Sequence, residues 1–181
     1  NFNKLLIAGI SLLFIYLFYL SIPNLYNKSW VQNTLENKLL NEFKINFSIS
    51  SEISYEILPS PHFIIENAKI LNNDQNKPEE LAEIKKLKVF IFQQNFFKKE
   101  NLKIKKVAIN DANFSVKRDN LNYFNNFINE KQSKKTIIVK KGNFFYKNYT
   151  NEIVSLVKIL NFSVFYDDQK NLNILNLKGE I

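Results

Sequence analysis

Ile45 to Ile70 reads INFSISSEISYEILPSPHFIIENAKI, and its periodicity decides the fold class. Ile45, Phe47 and Ile49 alternate with polar residues, and so do Ile53, Tyr55 and Ile57. A period of two is that of a half-buried strand, because successive side chains point to opposite faces. Pro59-Ser60-Pro61 then interrupts pairing: neither proline has an N–H for a ladder, so the chain turns or follows an edge there. A new strand resumes at Phe63 and runs to about Leu71.

Downstream the pattern continues. Asn72 to Pro78 is polar and Asn-rich, a loop, and Glu79 to Ile84 reads as a short helical turn. Leu87, Val89 and Ile91 share one face of a strand whose other face carries Phe90 and Phe92, so it needs cover on both sides. Leu102 and Ile104 are out of phase with Val107 and Ile109 across Lys105-Lys106, which predicts a bulge. Ala112, Phe114 and Val116 alternate up to Lys117-Arg118-Asp119. Leu121 to Lys135 reads as a loop with a short helix around Tyr123 to Ile128. Lys140-Lys141-Gly142-Asn143 has the form of a hairpin turn. Leu160, Phe162, Val164 and Tyr166 alternate, and a last strand starts at Leu172. The sum is about nine strands, mostly joined by short polar turns, in an antiparallel sheet.

Upstream the period becomes helical. Val31, Leu35, Leu39 and Phe43 recur every four residues, with Leu40 widening the stripe, and Ser29-Trp-Val-Gln32 has the form of a capping box. This amphipathic helix is expected to pack on the sheet. Before it, Leu5 to Ile22, LLIAGISLLFIYLFYLSI, carries no formal charge. As a helix it covers roughly 27 Å, close to the roughly 30 Å hydrocarbon core of a bilayer. Leu5, Leu12, Phe14 and Leu17 would face lipid, and Tyr26 and Trp30 would mark the exit, where amphipathic rings favour the headgroup zone. The apolar run exceeds the roughly 7–15 residues of a cleaved signal and no A-x-A-like site follows, so retention as an anchor is favoured. Lys4 precedes the span and Lys28, Lys38 and Lys44 follow it, which does not orient a long domain. The chain divides into an anchor, 1–27, and one β domain, 28–181. It lacks an initiator Met and stops at Ile181 in a strand-like run, so a C-terminal continuation is expected.

The chemistry that is missing narrows the function. A net charge of +8 would suit nucleic acid or an anionic surface, but Arg118 is the only arginine, and without Arg there is little bidentate recognition of phosphate or guanine. No nucleic-acid partner is expected. There is no Cys for a thiolate site or nucleophile, and His62, the one histidine, has no acidic residue at helical spacing. Asp167-Asp168 and Glu79-Glu80 sit among turn-forming or charged residues, as solvated carboxylates do. Three glycines, at 9, 142 and 179, cannot build a phosphate loop. No catalytic residue, metal or cofactor is assigned, and an enzyme is not expected.

The order of elements resembles the N-terminal region of the AsmA-like family, membrane-anchored bacterial envelope proteins related to TamB and to bridge-like lipid-transfer proteins. The resemblance rests on Ile45 to Ile70 with its proline pair Pro59 and Pro61, on LAEIKKLKVFIF from Leu81 to Phe92, and on LKIKKVAINDANFSVKRDNLNYF from Leu102 to Phe124. Lys117-Arg118-Asp119 matches the family's basic-acidic step. Asn120-Leu121-Asn122-Tyr123 stands where the family often has Gly-x-x-Asn-Trp, so Asn replaces Gly, as a residue tolerant of positive φ, and Tyr replaces Trp. The resemblance implies an inner-membrane anchor, a periplasmic domain and a role in phospholipid movement or outer-membrane homeostasis. It also implies a strongly curved, taco-like sheet forming a groove. Its candidate lining is Ile45, Phe47, Ile49, Leu87, Val89, Ile91, Phe114 and Val116, because an acyl chain needs a continuous apolar wall. The same alternation would equally line a closed core. A second reading is a membrane-tethered scaffold for outer-membrane proteins, offering sheet edges to a protein partner.

Overall fold

A computed structural model describes residues 2–72 and 78–180. The uncharged run forms α1 (Phe2–Ser21), continued by a 3-10 turn at Ile22–Leu25. Together these 24 residues are long and apolar enough to cross a membrane, and most of their surface is bare. The next helix, α2 (Lys28–Phe43), is capped by Asn27, whose Oδ1 accepts from Trp30 N at 3.0 Å. The Ser29–Gln32 box is not formed, because Gln32 Nε2 instead donates to the carbonyl of buried Ile49 at 2.7 Å. Val31, Leu35, Leu39 and Phe43 are buried in the same cluster as the sheet, whereas Leu40 is exposed, so the stripe is narrower than expected.

Eight strands follow: β1 (Phe47–Ser48), β2 (Ile53–Glu56), β3 (His62–Asn72), β4 (Glu79–Ile91), β5 (Ile104–Lys117), β6 (Ile137–Lys147), β7 (Ile153–Asp167) and β8 (Leu172–Glu180), with α3 (Leu121–Asn129) between β5 and β6. They form one open sheet in which β1 and β2 both lie on one edge of β3, followed in order by β4, β5, β6, β7 and β8. Four sequence expectations need correction. The sheet is mixed, because β5 and β6 run parallel; such a pair needs a crossover, and the segment carrying α3 supplies it. Among the described residues there are eight strands where about nine were expected. Glu79 to Ile84 is the start of β4 and not a helical turn: pairing with β3 overrides the local preference and aims Glu80 at Lys69 Nζ, 2.6 Å away. Lys140 to Asn143 is no hairpin, since β6 runs through it. The Asn72 to Pro78 loop falls largely on residues 73–77, outside the described residues.

One face of the sheet is apolar in rows that cross it strand by strand. Ile53, Ile65, Leu87, Ile109, Val139, Phe162 and Leu177 form one row from β2 to β8. Phe47, Ile70, Ala82, Phe114, Phe144 and Val157 form another. Between them lies a row of smaller residues: Ala68, Ile84, Ala112, Gly142, Ile159 and Gly179. A Cβ on Gly142 would stand 3.3 Å from Val139 Cγ1 and 3.5 Å from Ile159 Cδ1, so even one methyl is tight there.

These rows keep a common face only because five neighbouring strands break phase at the same level. In each, two consecutive residues turn away from the apolar face: Glu66-Asn67, Lys85-Lys86, Asn110-Asp111, Lys140-Lys141 and Leu160-Asn161. Asn67, Asp111 and Lys141 carry positive φ of 57°, 54° and 56°. Such steps bend a strand and increase its twist. The expected break at Lys105-Lys106 is also present, as a register shift opposite Phe90 and Ile91. Leu160 is displaced by the same device: it leaves the phase of Phe162, Val164 and Tyr166 and lies exposed. Glycine has no Cβ penalty at positive φ, so Asp111→Gly and Lys141→Gly should leave the urea midpoint of the full chain unchanged or higher, whereas Asp111→Val should cost about 1–2 kcal/mol.

Candidate functional site

The apolar face is not evenly covered. Beyond α2, where β5 to β8 carry it outward, a cavity of about 360 Å³ separates the sheet from α3. Its floor includes Phe114, Val139, Phe144, Ile159 and Phe162, and its roof is Tyr123, Phe124, Phe127 and Ile128 of α3. Every wall residue is aliphatic or aromatic, with the Tyr123 hydroxyl the one polar side-chain group among them. Three wall residues, Leu175 and Leu177 of β8 and Ile128 of α3, are 40%, 65% and 49% exposed, so the cavity opens there. Ile45 and Ile70 line it from the β3 side.

The roof is a short strap fastened at both ends by asparagines. At the start, Asn120 is buried: its Oδ1 accepts from Lys117 N at 2.8 Å, and its Nδ2 donates to Glu79 Oε1 at 3.2 Å and to the Ser115 carbonyl at 3.3 Å. Its φ is −106°, so Asn120 acts here through its side chain and not through the positive φ expected of it. At the far end Asn173 of β8 donates from Nδ2 to the carbonyls of Ile128 and Glu130, at 3.0 and 2.7 Å, and accepts from Gln132 N at 3.0 Å. These are the carbonyls a helix end leaves without an intrahelical donor. In the middle, Phe124 meets Phe144 edge-on at 5.9 Å, and Phe144 stacks on Phe114 at 4.7 Å.

Of the eight residues expected to line a groove, Ile45 and Phe114 are on the cavity wall. The other six are also buried but lie elsewhere. Phe47 pairs beside Ile70, Ile49 is held to α2 by Gln32 and by Glu36 Oε1, which accepts its N–H at 2.8 Å, and Leu87, Val89 and Ile91 are sealed in the core with the α2 stripe. Val116 pairs with Tyr146 towards the far end of β5. The cavity walls missed from the sequence are those of α3 and of β6 to β8, together with Ile70, Leu81 and Ile109. The signal for α3 is present in Tyr123-Phe124-x-x-Phe127-Ile128, a helical stripe of aromatic and aliphatic residues.

Of the expected anchor residues, Leu5, Leu12, Phe14 and Leu17 are exposed on α1. Tyr26 and Trp30 pack on one another edge-on at 5.6 Å, at the junction of α1 with the domain. There Tyr55 donates its hydroxyl to the Leu20 carbonyl at 2.7 Å, and burial pushes the phenol above its usual pKa. His62 lies on the opposite face of the sheet, stacked on Phe90 at 4.7 Å with Glu56 3.4 Å from Nε2. That carboxylate is six positions away in sequence, and strand pairing of Glu56 with His62 brings it close. Among the described residues no cluster of His, Cys, Asp and Glu is arranged to hold a metal ion.

No family model matches the chain, and no curated protein matches it in sequence. If Asn173 pins the strap, Asn173→Ala should raise amide exchange across residues 121–132 while β3 to β5 stay protected. Hydrogen-exchange mass spectrometry reads both regions in one experiment.

Proposed function

We propose that this chain is a membrane-anchored bacterial envelope protein of the AsmA-like type that holds phospholipid acyl chains against the apolar face of its sheet. The observation that carries the reading is the cavity between α3 and β5 to β8, whose wall has no charged side chain and which is open at the margin. Apolar cavities of roughly 150 Å³ stay dry and take up apolar ligands. An acyl chain laid against these walls removes apolar surface from water on both partners, worth about 0.8 kcal/mol per buried methylene. An acyl chain makes no hydrogen bonds and finds none missing here; its headgroup stays in water at the mouth by Ile128 and Leu177.

In this reading α1 is the single membrane span and residues 28–181 are the lipid-handling domain. The aligned phase breaks of β3 to β7 curl the sheet into a groove, because each bends its strand at the same level. The family resemblance supports an inner-membrane anchor with the domain in the periplasm and a role in lipid transport and outer-membrane homeostasis. Protease added to intact spheroplasts should therefore cut the Lys-rich loops of the domain; protection would place it in the cytoplasm.

A second reading, a membrane-tethered scaffold for outer-membrane proteins, is favoured by β8, whose outer edge has no partner strand among the described residues. Edge strands recruit partner strands. Native mass spectrometry of the detergent-extracted full chain separates the two. Groove binding predicts co-purified phospholipid, lost in Leu177→Glu, which changes an exposed wall residue without burying a charge. A lipid-free, protein-bound species, or lipid retained unchanged in Leu177→Glu, supports the scaffold instead.

A further inference from the structure

The loop joining β4 to β5, residues 92–103, reaches back along α1. Gln93 Oε1 accepts from the Tyr16 hydroxyl at 3.1 Å, and Phe96 stacks on Tyr19 at 5.2 Å, with its N–H 3.4 Å from the Tyr19 hydroxyl. Phe97 meets the same tyrosine at 5.8 Å but is 73% exposed, and Phe92, the chain neighbour of Gln93, is exposed too. Lys98, Lys99 and Lys103 follow with their side chains exposed, and Lys99 Nζ lies 5.1 Å over the Trp30 ring.

Depth is what gives these contacts a consequence. Tyr16 lies five positions before Ser21, the last residue of α1, which is about 7.5 Å along the axis at 1.5 Å per residue. A loop bonded to Tyr16 and stacked on Tyr19 is level with the last two turns of the span. If α1 crosses a bilayer, the loop cannot stand clear of it in water. Its chemistry fits that position, since exposed aromatic rings followed by lysines suit the headgroup boundary. Nothing else among the described residues covers Phe97, and the surface continues that of α1.

We infer that the β4–β5 loop is a second membrane contact, inserting Phe92 and Phe97 at the boundary between phospholipid headgroups and acyl chains and placing its lysines at the phosphates. It fixes the domain against the bilayer at two points, which a single flexible anchor would not do. The inference rests on the reading of α1 as a span, and the experiment separates the two. The chain has no cysteine, so introduced cysteines take spin labels at single sites.

The full-length protein, reconstituted in vesicles of phosphatidylcholine and phosphatidylglycerol, is labelled in separate variants at Phe97→Cys, Lys98→Cys, Ile10→Cys in mid-span, and Tyr149→Cys. Tyr149 is exposed in the turn after β6, beyond the strand end that pairs with Lys117 and so remote from the loop. Collision with dissolved oxygen and with a water-soluble nickel complex reports depth. The Phe97 label should lie about 5–10 Å below the phosphates, shielded from nickel, between the Ile10 and Tyr149 values, with the Lys98 label at phosphate level. Phe97 and Lys98 labels as open to nickel as Tyr149, with Ile10 deep, would overturn the loop contact and leave the anchor standing. An Ile10 label open to nickel would overturn both.

Discussion

An eight-stranded sheet with one continuous apolar face must have that face covered, and two helices are what the described chain offers on that side. Seven strand positions at about 4.8 Å spread the face over roughly 29 Å. The sixteen residues of α2 and the nine of α3 give helices of about 24 and 14 Å. α2 seals the part formed by β3 and β4, where Ile65, Leu87 and Val89 are fully buried. α3 cannot do the same over β5 to β8, so space remains under it and Leu177 lies bare at its edge. The site is therefore a property of incomplete cover, and its apolar character follows from the strand alternation that would otherwise have made a closed core.

Why α3 does not simply collapse onto the floor is answered by its ends. Asn120 is tied to β4 and β5, and Asn173 ties the other end to β8, so the strap is held across the sheet by polar groups whose partners lie at fixed places. Between the ties Phe124 meets Phe144 edge-on, and Tyr123 and Phe127 also pack against the buried cluster. Each tie is worth only about 1 kcal/mol net, while leaving a buried amide or carbonyl unpaired costs about 1–3 kcal/mol. The arrangement is thus specific without being rigid.

Much of this was legible in the residues. Strand alternation from Ile45 onward, the α2 stripe, the short helix near Tyr123 and the uncharged N-terminal run all appear where the periodicity puts them. What periodicity could not give was the partner of each strand. Lys140 to Asn143 carries turn-like residues, yet β6 continues through it because β5 lies alongside and Ala112 faces Gly142. Glu79 to Ile84 reads as helix locally and becomes strand because β3 is there to pair with it. The aligned phase breaks were visible as paired outward residues, as in Val107-x-Ile109-x-x-Ala112-x-Phe114, but only Lys105-Lys106 reads as a break when strands are taken one at a time; their alignment needs the register. The expected lining and the cavity wall share only Ile45 and Phe114 for the same reason: alternation tells which residues face inward, and the placement of two helices tells which inward residues are left bare.

The central claim is that an acyl chain occupies the space beneath α3. The most direct measurement is photocrosslinking of the reconstituted full chain with a phospholipid bearing a diazirine near the end of one acyl chain, followed by peptide mapping. The account predicts adducts on α3 and on the facing residues of β6 to β8, in addition to those that any span collects along α1. Adducts confined to α1 and the β4–β5 loop would contradict it, leaving a membrane-bound domain whose cavity holds no lipid.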